Sequence, residues 1–324
     1  MAESRVEAGL REAWRIIEER KVPDASEVEA LRDAANWGRW APSGELGAVN
    51  LLSPAKTRSA LALVVEGQSV SLSRPVPVDT PEGDPFLASR SVIRRDYDDG
   101  SGSLHEEHTL RFHGISTTHI DALSHYWDSS LMWEGRSVDS DFGEQGADFG
   151  AITDWSDGLI TRGLLFDVAG RRPEGFVTPE QPVHAWELHD IAKECGLEPQ
   201  PGDAIVVYSG REEWERLHGG YRVPQTADDG VRPGLHPSCL AYLRVAEAGV
   251  LVWDMMDLRP NGYRSTLTVH CAIPWYGVVL IDNTSLGRLA RECRGRQRFE
   301  FALILAPLPI PGGTGSAINP LALL

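Results

Sequence analysis

The chain has 324 residues, 42% of them hydrophobic and 24% charged, and its formal net charge is −16 at neutral pH. These proportions are typical of a globular protein whose core is large enough to fold without disulfides. The acidic balance argues against binding to nucleic acid and to an anionic membrane surface. We therefore expect neither nucleic acid nor a membrane among its partners.

The cysteines and the N-terminal residues predict a cytoplasmic protein. The four cysteines, at positions 195, 239, 271 and 293, form no Cys-x-x-Cys pair, which argues against a structural zinc knuckle. The first 20 residues are charged and helical in pattern, with no apolar segment of the signal-peptide type. No apolar run approaches the roughly 20 residues that a membrane helix needs.

Two helices are predicted at the N-terminus. Apolar residues at positions 6, 10, 14 and 17 recur at helical spacing within residues 3–21. A second helix is predicted within 23–35, where Ser26 and Glu29 indicate a capping box. We predict that residues 1–36 form a helical arm that serves packing or a dimer contact.

Strands and helices take turns through residues 37–324, which we predict to be one domain. A helix is predicted at 59–68, a strand at 69–76, a long excursion with short strands at 76–103, and a loop at 128–158. Further strands are predicted at 108–121, 163–170, 203–210, 250–258, 277–282 and 298–310, and further helices at 184–196 and 237–249. This pattern predicts an α/β fold.

The stretch FHGISTTHIDALSHYW, at 112–127, is rich in histidine in an otherwise apolar and hydroxyl-rich setting. Alternate side chains of a strand share a face, so His113, His119 and Asp121 are predicted to share one face, on which His119 and Asp121 can converge on one ion. Imidazole nitrogen with carboxylate oxygen suits a divalent metal ion such as zinc or manganese. The alternative interpretation is ordinary histidines that are hydrogen-bonded within the core.

Further ligands must come from elsewhere in the chain, since metal sites with an open position usually have three or more protein ligands. His270 and Asp282 are the candidates. Asp282 ends the apolar run GVVLID, where a carboxylate needs a partner. His125, four residues after Asp121, is expected to face the same pocket from the side.

The run from Ile115 to His125 resembles the signature His-x-Gly-Thr-His-x-Asp-x-Pro-x-His of the metal-dependent cyclase family. That family includes bacterial kynurenine formamidases, isatin hydrolases and trans-dienelactone hydrolases. Four positions match the signature and three differ. The matches are Thr118, His119, Asp121 and His125, and the differences are Ile115 for the first histidine, Thr117 for the glycine and Leu123 for the proline.

The resemblance covers roughly residues 37–324. QPGDAIVVYSG, at 200–210, is similar to the family's Pro-Gly-Asp segment and the apolar strand that follows it. Family members carry a late histidine and, twelve residues on, a glutamate, both of them metal ligands. Here the matching residues are His270 and the shorter Asp282.

This resemblance implies a compact β-rich, kynurenine formamidase-like α/β fold that assembles as a homodimer or homotetramer. It implies a bound divalent ion, Zn²⁺ or Mn²⁺, that activates water to hydrolyse an amide or ester bond of a small, often cyclic, molecule. The resemblance gives His125 the role of general acid and base.

Ile115 departs from the signature, and this predicts one metal ion per site where some members hold two. His113 could replace the missing ligand or could hold another ligand in place. In an extended strand, it would lie about 6 to 7 Å too far along for the same coordination bond.

Three tryptophans near the motif, Trp127, Trp133 and Trp155, could line an aromatic substrate pocket, and ordinary core packing is the alternative. Two other functions remain open for the same fold. One is a cyclase or dehydratase in a biosynthetic route, and the other is a member that binds a ligand without turnover.

Overall fold

The computed structural model describes residues 4–76, 78, 88–221 and 230–324. Its helices are α1 (Arg5–Glu18), α2 (Ala25–Arg32), α3 (Pro54–Leu61), α4 (Val138–Asp141), α5 (Ala185–Glu194), α6 (Arg211–His218), α7 (Cys239–Val245), α8 (Ala272–Tyr276) and α9 (Gly287–Arg296). Its strands are β1 (Ser69–Ser71), β2 (Ser89–Asp96), β3 (Gly102–Thr109), β4 (His119–Asp121), β5 (Phe142–Gly143), β6 (Gly146–Ala147), β7 (Leu159–Asp167), β8 (Ala204–Tyr208), β9 (Val250–Trp253), β10 (Val279–Asp282), β11 (Glu300–Leu305), β12 (Gly315–Ala317) and β13 (Leu321–Leu323).

Nine strands of the described ranges form one mixed sheet, in the order β1-β13-β11-β7-β8-β9-β10-β4-β12. Strands β7 to β10 run parallel to one another, and β4 pairs antiparallel with β10. Strands β9 and β10 are buried along their whole length, as expected for parallel strands covered on both faces. The predicted α/β class is confirmed, and the predicted strands from 163 onward lie in this sheet.

The two N-terminal helices pack against the body of the protein. α1 contacts α2, α5 and α7, and it buries Ala13, Ile16 and Ile17. At Gly9 a side chain would meet the backbone nitrogen of Ala34 at 2.6 Å, so the helix can approach this closely only with glycine. The division of the chain at residue 36 stays a prediction.

Two predicted helix ends are wrong. The capping box of α2 is made by Asp24 and Glu27, two residues earlier than predicted, because the Asp24 carboxylate accepts from the free backbone N–H groups of the first turn. α3 replaces the helix predicted at 59–68. It begins earlier because Ser53 caps it and Pro54 stands at its first position, and it ends at Leu61.

The strand predicted over 108–121 is also wrong, because β3 ends at Thr109 and β4 begins at His119. The backbone between them is bound by side chains instead of by a neighbouring strand. The side-chain amide of Asn283 donates to the carbonyls of Gly114 and Thr117, and the guanidinium of Arg211 donates to the carbonyl of Ile115. This irregular segment, residues 110–118, decides where His113 lies.

Strands β2 and β3 form a separate two-stranded hairpin with solvent on both faces. Val92, Ile93 and Leu104 are among its exposed side chains. The excursion predicted at 76–103 covers part of this hairpin, while residues 77 and 79–87 fall outside the described residues. Among the helices described, none has the length and apolarity to cross a membrane.

Candidate metal centre and active site

The pairing of β4 with β10 brings three of the predicted ligands together. His119 lies opposite Asp282 in the antiparallel register, and Asp121 shares its face because it is two residues further along β4. The Nε2 of His119 is 3.4 Å from Oδ1 of Asp121 and 3.9 Å from Oδ2 of Asp282. All three side chains are buried.

His270 reaches the same cluster from a 3-10 turn, Val269–Cys271, immediately before α8. Its Nε2 is 3.3 Å from Oδ2 of Asp282 and 3.9 Å from Oδ2 of Asp121. Its Nδ1 is 2.5 Å from Oδ2 of Asp257, whose other oxygen accepts the backbone N–H of Val269 at 2.6 Å. Asp257 therefore fixes both the turn and the orientation of the ring.

Similar supporting bonds orient His119 and Asp282. The Nδ1 of His119 is 2.8 Å from the carbonyl oxygen of Thr117, which leaves Nε2 for the cluster. The indole N–H of Trp253 donates to Oδ1 of Asp282, which leaves Oδ2 for the cluster. Such outer partners are usual for groups that bind metal ions.

His113 lies next to the cluster, so the argument that it sits too far along a strand is wrong. The segment that carries it is irregular, and its Nδ1 comes within 3.1 Å of Oδ1 of Asp121. Its Nε2 is 3.0 Å from Oγ1 of Thr314. The ring stacks on that of His125, with centroids 3.9 Å apart and an angle of 7° between the planes.

His125 follows β4 and stands at the edge of the cluster, with its Nε2 3.7 Å from Oδ1 of Asp121. Burial lowers the pKa of His125 to about 4, although the nearby Asp121 carboxylate acts in the opposite direction. The imidazole is therefore neutral at pH 7 and can accept a proton.

Asp121 is fully buried, yet neither of its carboxylate oxygens receives a hydrogen bond from the described residues. Burial acts to raise the pKa of Asp121, but His125, His119 and His113 outweigh it, so the pKa is lowered and the group stays ionised. A buried anion without hydrogen bonds is costly. A cation would compensate it.

The electrostatics of His270 agree with that interpretation. Burial acts to lower the pKa of His270, but the carboxylates of Asp257 and Asp282 raise it well above its ordinary value. The carboxylates of the cluster therefore carry negative charge that neutral histidines do not offset. Among the residues that the structure describes, two overlapping groups have ligand atoms within 4.8 Å of one another: His113, His119 and Asp121, and Asp121, His270 and Asp282. This donor set of imidazole nitrogen and carboxylate oxygen fits a zinc-like or manganese-like ion.

A cavity of about 170 Å³ opens beside the cluster. His119, His125, His270 and Asp282 line one part of it. The rest is apolar or basic and is formed by Gly114, Ile115, Met256, Leu267, Arg232 and Arg259. Ile115 thus lines this cavity, where the family signature has a histidine.

The three tryptophans singled out in the sequence do not line this cavity. Trp133 and Trp155 are buried in the core, and the indole N–H of Trp133 donates to the carbonyl of Gly44 at 2.6 Å. Trp127 is half exposed. The aromatic rings beside the cluster are instead those of Phe112, Tyr126 and Trp253.

Sequence reasoning missed several residues of the site. Asp257 interrupts an apolar run, VLVWDMMDL, and the same signal that singled out Asp282 could have found it. No local signal marks Arg232 or Arg259, because only the fold brings them to the cavity.

The comparisons with known proteins identify a family and a fold. The cyclase family model, described as "Putative cyclase", matches residues 66–259, a range that includes His119, Asp121 and His125 and stops before His270. No curated protein matches the chain.

Solved structures with the same fold include a crystal structure described as a novel cyclase. It is 22% identical, with a TM-score of 0.76, and the match covers 90% of this chain and 97% of that one. Isatin hydrolase A from Labrenzia aggregata, bound to benzyl benzoate, is 18% identical, with a TM-score of 0.58 over 79% of this chain and 93% of its own. An isatin hydrolase bound to the product analogue thioisatinate is 19% identical, with a TM-score of 0.57 over 84% of this chain and 99% of its own.

The family match spans more than half of the chain, and the fold agrees with it. The chain belongs to the cyclase family.

Proposed function

We propose that the protein is a metal-dependent hydrolase that cleaves an amide or ester bond in a small cyclic or aromatic molecule. The observation that carries this proposal is Asp121, a buried carboxylate with four histidines within 4 Å and no hydrogen bond to either oxygen among the described residues. The solved isatin hydrolases of the same fold support the choice of a hydrolase. The substrates that we propose are lactones, cyclic amides and aryl formamides.

His119, Asp121, His270 and Asp282 would hold the ion, Zn²⁺ or Mn²⁺. His113 is either a further ligand of that ion or a neighbour that holds Asp121 in place. A divalent cation in such a site supplies Lewis-acid activation of water and of the substrate carbonyl.

His125 is the proposed general base and acid. Its ring is held by stacking on His113, lines the cavity and is neutral at pH 7, so it can take a proton from water. It then returns that proton to the leaving nitrogen or oxygen, which completes the exchange.

Metal analysis of protein purified without added metal or chelator tests the proposal. We expect one ion per chain in the wild type, because Ile115 supplies no ligand. His119→Ala and Asp121→Asn should each lose the ion. The matched control is His108→Ala, which removes an exposed hairpin histidine and should keep it. Full occupancy in both cluster variants would contradict the ligand assignment, and two ions in the wild type would make His113 a ligand of a second ion.

A hydrolysis screen of the protein loaded with the ion found should then separate the candidate functions. Ring-opened acids or deformylated amines are the expected products of lactones, cyclic amides and aryl formamides. Ring closure or loss of water from an open-chain substrate would instead favour the cyclase or dehydratase alternative.

A further inference from the structure

The active-site cavity has a basic wall that the proposed chemistry does not use. Arg232 and Arg259 are paired in an antiparallel bridge, with backbone N–H to carbonyl distances of 3.0 and 3.1 Å in the two directions. Side chains that lie opposite each other in such a pair project to the same side. Both residues line the cavity that His125 and His270 also line.

Arg232 is buried at the cavity, and its side chain is held there by specific contacts. The residue is only 3% exposed, and its Nε donates to the backbone carbonyl of Asp257 at 3.3 Å. Its guanidinium lies 5.9 Å from the ring centre of Tyr221. Within the described ranges, no carboxylate lies within 4.0 Å of the Arg232 guanidinium. A guanidinium stays charged when buried and has a fork of donors that matches a carboxylate.

The apolar lining and the volume of the cavity also limit which molecules can bind. Ile115, Met256 and Leu267 supply the apolar surface of the cavity. A volume of about 170 Å³ is below the range usual for drug-sized ligands, so the occupant is a small molecule.

From this arrangement we propose that Arg232, with Arg259 beside it, binds a carboxylate of the substrate. The preferred substrates are then small amides or esters that carry a carboxylate in addition to the bond that is cleaved. This inference rests on the proposed hydrolase function for the identity of that bond, but the anion subsite can be tested without turnover.

Calorimetric titration of the metal-loaded protein with benzoate and with benzamide provides that test. The two probes have nearly the same shape and differ in charge. We expect the wild type to bind benzoate at least tenfold more tightly than benzamide, and Arg232→Gln to lose most of that preference. Arg216→Gln removes an exposed arginine of α6 and should keep the preference.

Two results would overturn the inference. If benzoate binds only to the metal ion, its affinity will be equal in the wild type and in Arg232→Gln. If inorganic phosphate binds more tightly than benzoate, and does so through Arg232, the subsite serves phosphates instead of carboxylates.

Should Arg232→Gln fail to fold, Arg232→Lys and Arg259→Gln replace it. Lysine keeps the charge without the fork and should leave an intermediate preference, and an unchanged preference in both variants would refute the subsite.

Hydrolysis of a matched pair of lactones, one with a carboxylate and one with its methyl ester, separates this inference from the proposed function. A benzoate preference without hydrolysis of any substrate would leave the subsite standing and reject the hydrolase. Hydrolysis of both lactones with equal kcat/KM would support the hydrolase and reject the carboxylate subsite.

Discussion

Asp257 is important for the proposed metal site because it positions another residue, His270. It binds Nδ1 of His270 and the backbone N–H of Val269, so it fixes the ligand and the turn that presents it. Outer partners of this kind typically contribute 10- to 100-fold to metal affinity. We expect Asp257→Asn to weaken metal binding by about that factor, measured by competition with a chromogenic chelator.

The control for that variant is Asp167→Asn at the end of β7. Its carboxylate also accepts a backbone N–H, from Gly170 at 2.9 Å, but its side-chain partner is Arg294 and not a histidine. Metal affinity should not change there. An Asp257→Asn protein with wild-type affinity would show that the turn is held well enough by its other contacts.

His125 should behave differently from the ligands when it is replaced. Its proposed task is proton transfer, so His125→Ala should keep the ion and lose activity by about 10²- to 10⁴-fold. Metal content and turnover, measured on the same preparation, check this expectation. Loss of the ion together with the activity would instead make His125 a ligand.

At the scale of elements, α5 and α7 are linked by a pair of neutral histidines. His184 precedes α5 and His236 lies before α7, with ring centroids 4.5 Å apart. Burial lowers the pKa of His236 to about 3, with a smaller contribution from His184. Burial also lowers the pKa of His184 to about 4, where Glu187 opposes and Arg172 assists the shift.

This pair predicts a loss of stability in mild acid. Below the ordinary histidine pKa of about 6.5, the unfolded chain takes up protons that the folded chain does not, so the free energy of unfolding falls as the pH falls toward about 4. His236→Asn keeps an acceptor for the backbone N–H of Ser238 and removes the titration. We expect its Tm to fall less than that of the wild type between pH 7 and pH 4.

His108→Asn, on the exposed hairpin, provides the comparison and should follow the wild-type slope. Equal slopes in all three proteins would mean that the buried pair does not control acid stability. Because other groups titrate over the same range, only the difference between the slopes is informative.

The strands of the site could be predicted from the sequence, but the irregular segment 110–118 could not. The position of Asp282 follows from an apolar strand that ends in a carboxylate, and His119 and Asp121 follow from strand alternation. The path of residues 110–118 could not be predicted in this way. It depends on Arg211 and Asn283, which are distant in sequence and whose bonds to the backbone replace a strand ladder.

For the whole molecule, the sequence supplied the fold class and the ligand types, while the basic wall of the cavity required the structure. A backbone bridge between distant segments brings Arg232 and Arg259 together. Nothing in their neighbouring residues distinguishes them from surface arginines. The local sequence pattern therefore reveals less about substrate preference than about the fold class or the metal ligands.

The hairpin β2–β3 concerns the assembly of the protein. A two-stranded sheet alone is marginally stable in water, and here Val92 and Leu104 are 51% and 70% exposed on the same face. We propose that a second copy of the chain covers this face, in a homodimer or homotetramer. Light scattering should give the mass of two or four chains for the wild type and a smaller mass for Leu104→Glu.

Leu217→Glu is the matched control, since it places the same charge at an exposed leucine of α6 and should leave the mass unchanged. A wild-type protein with the mass of one chain would contradict the proposed assembly. Dissociation of Leu217→Glu would show that charge alone, not the hairpin face, is responsible.

The cluster joins an early and a late part of the chain, since β4 lies before the middle of the sequence and β10 near its end. An ion bound there as proposed can bind only after these parts have met, so it favours the folded chain by mass action. The supply of metal in the cell would then set the lifetime of the protein as well as its rate. Starvation for that metal would remove the enzyme by degradation, and not merely silence it.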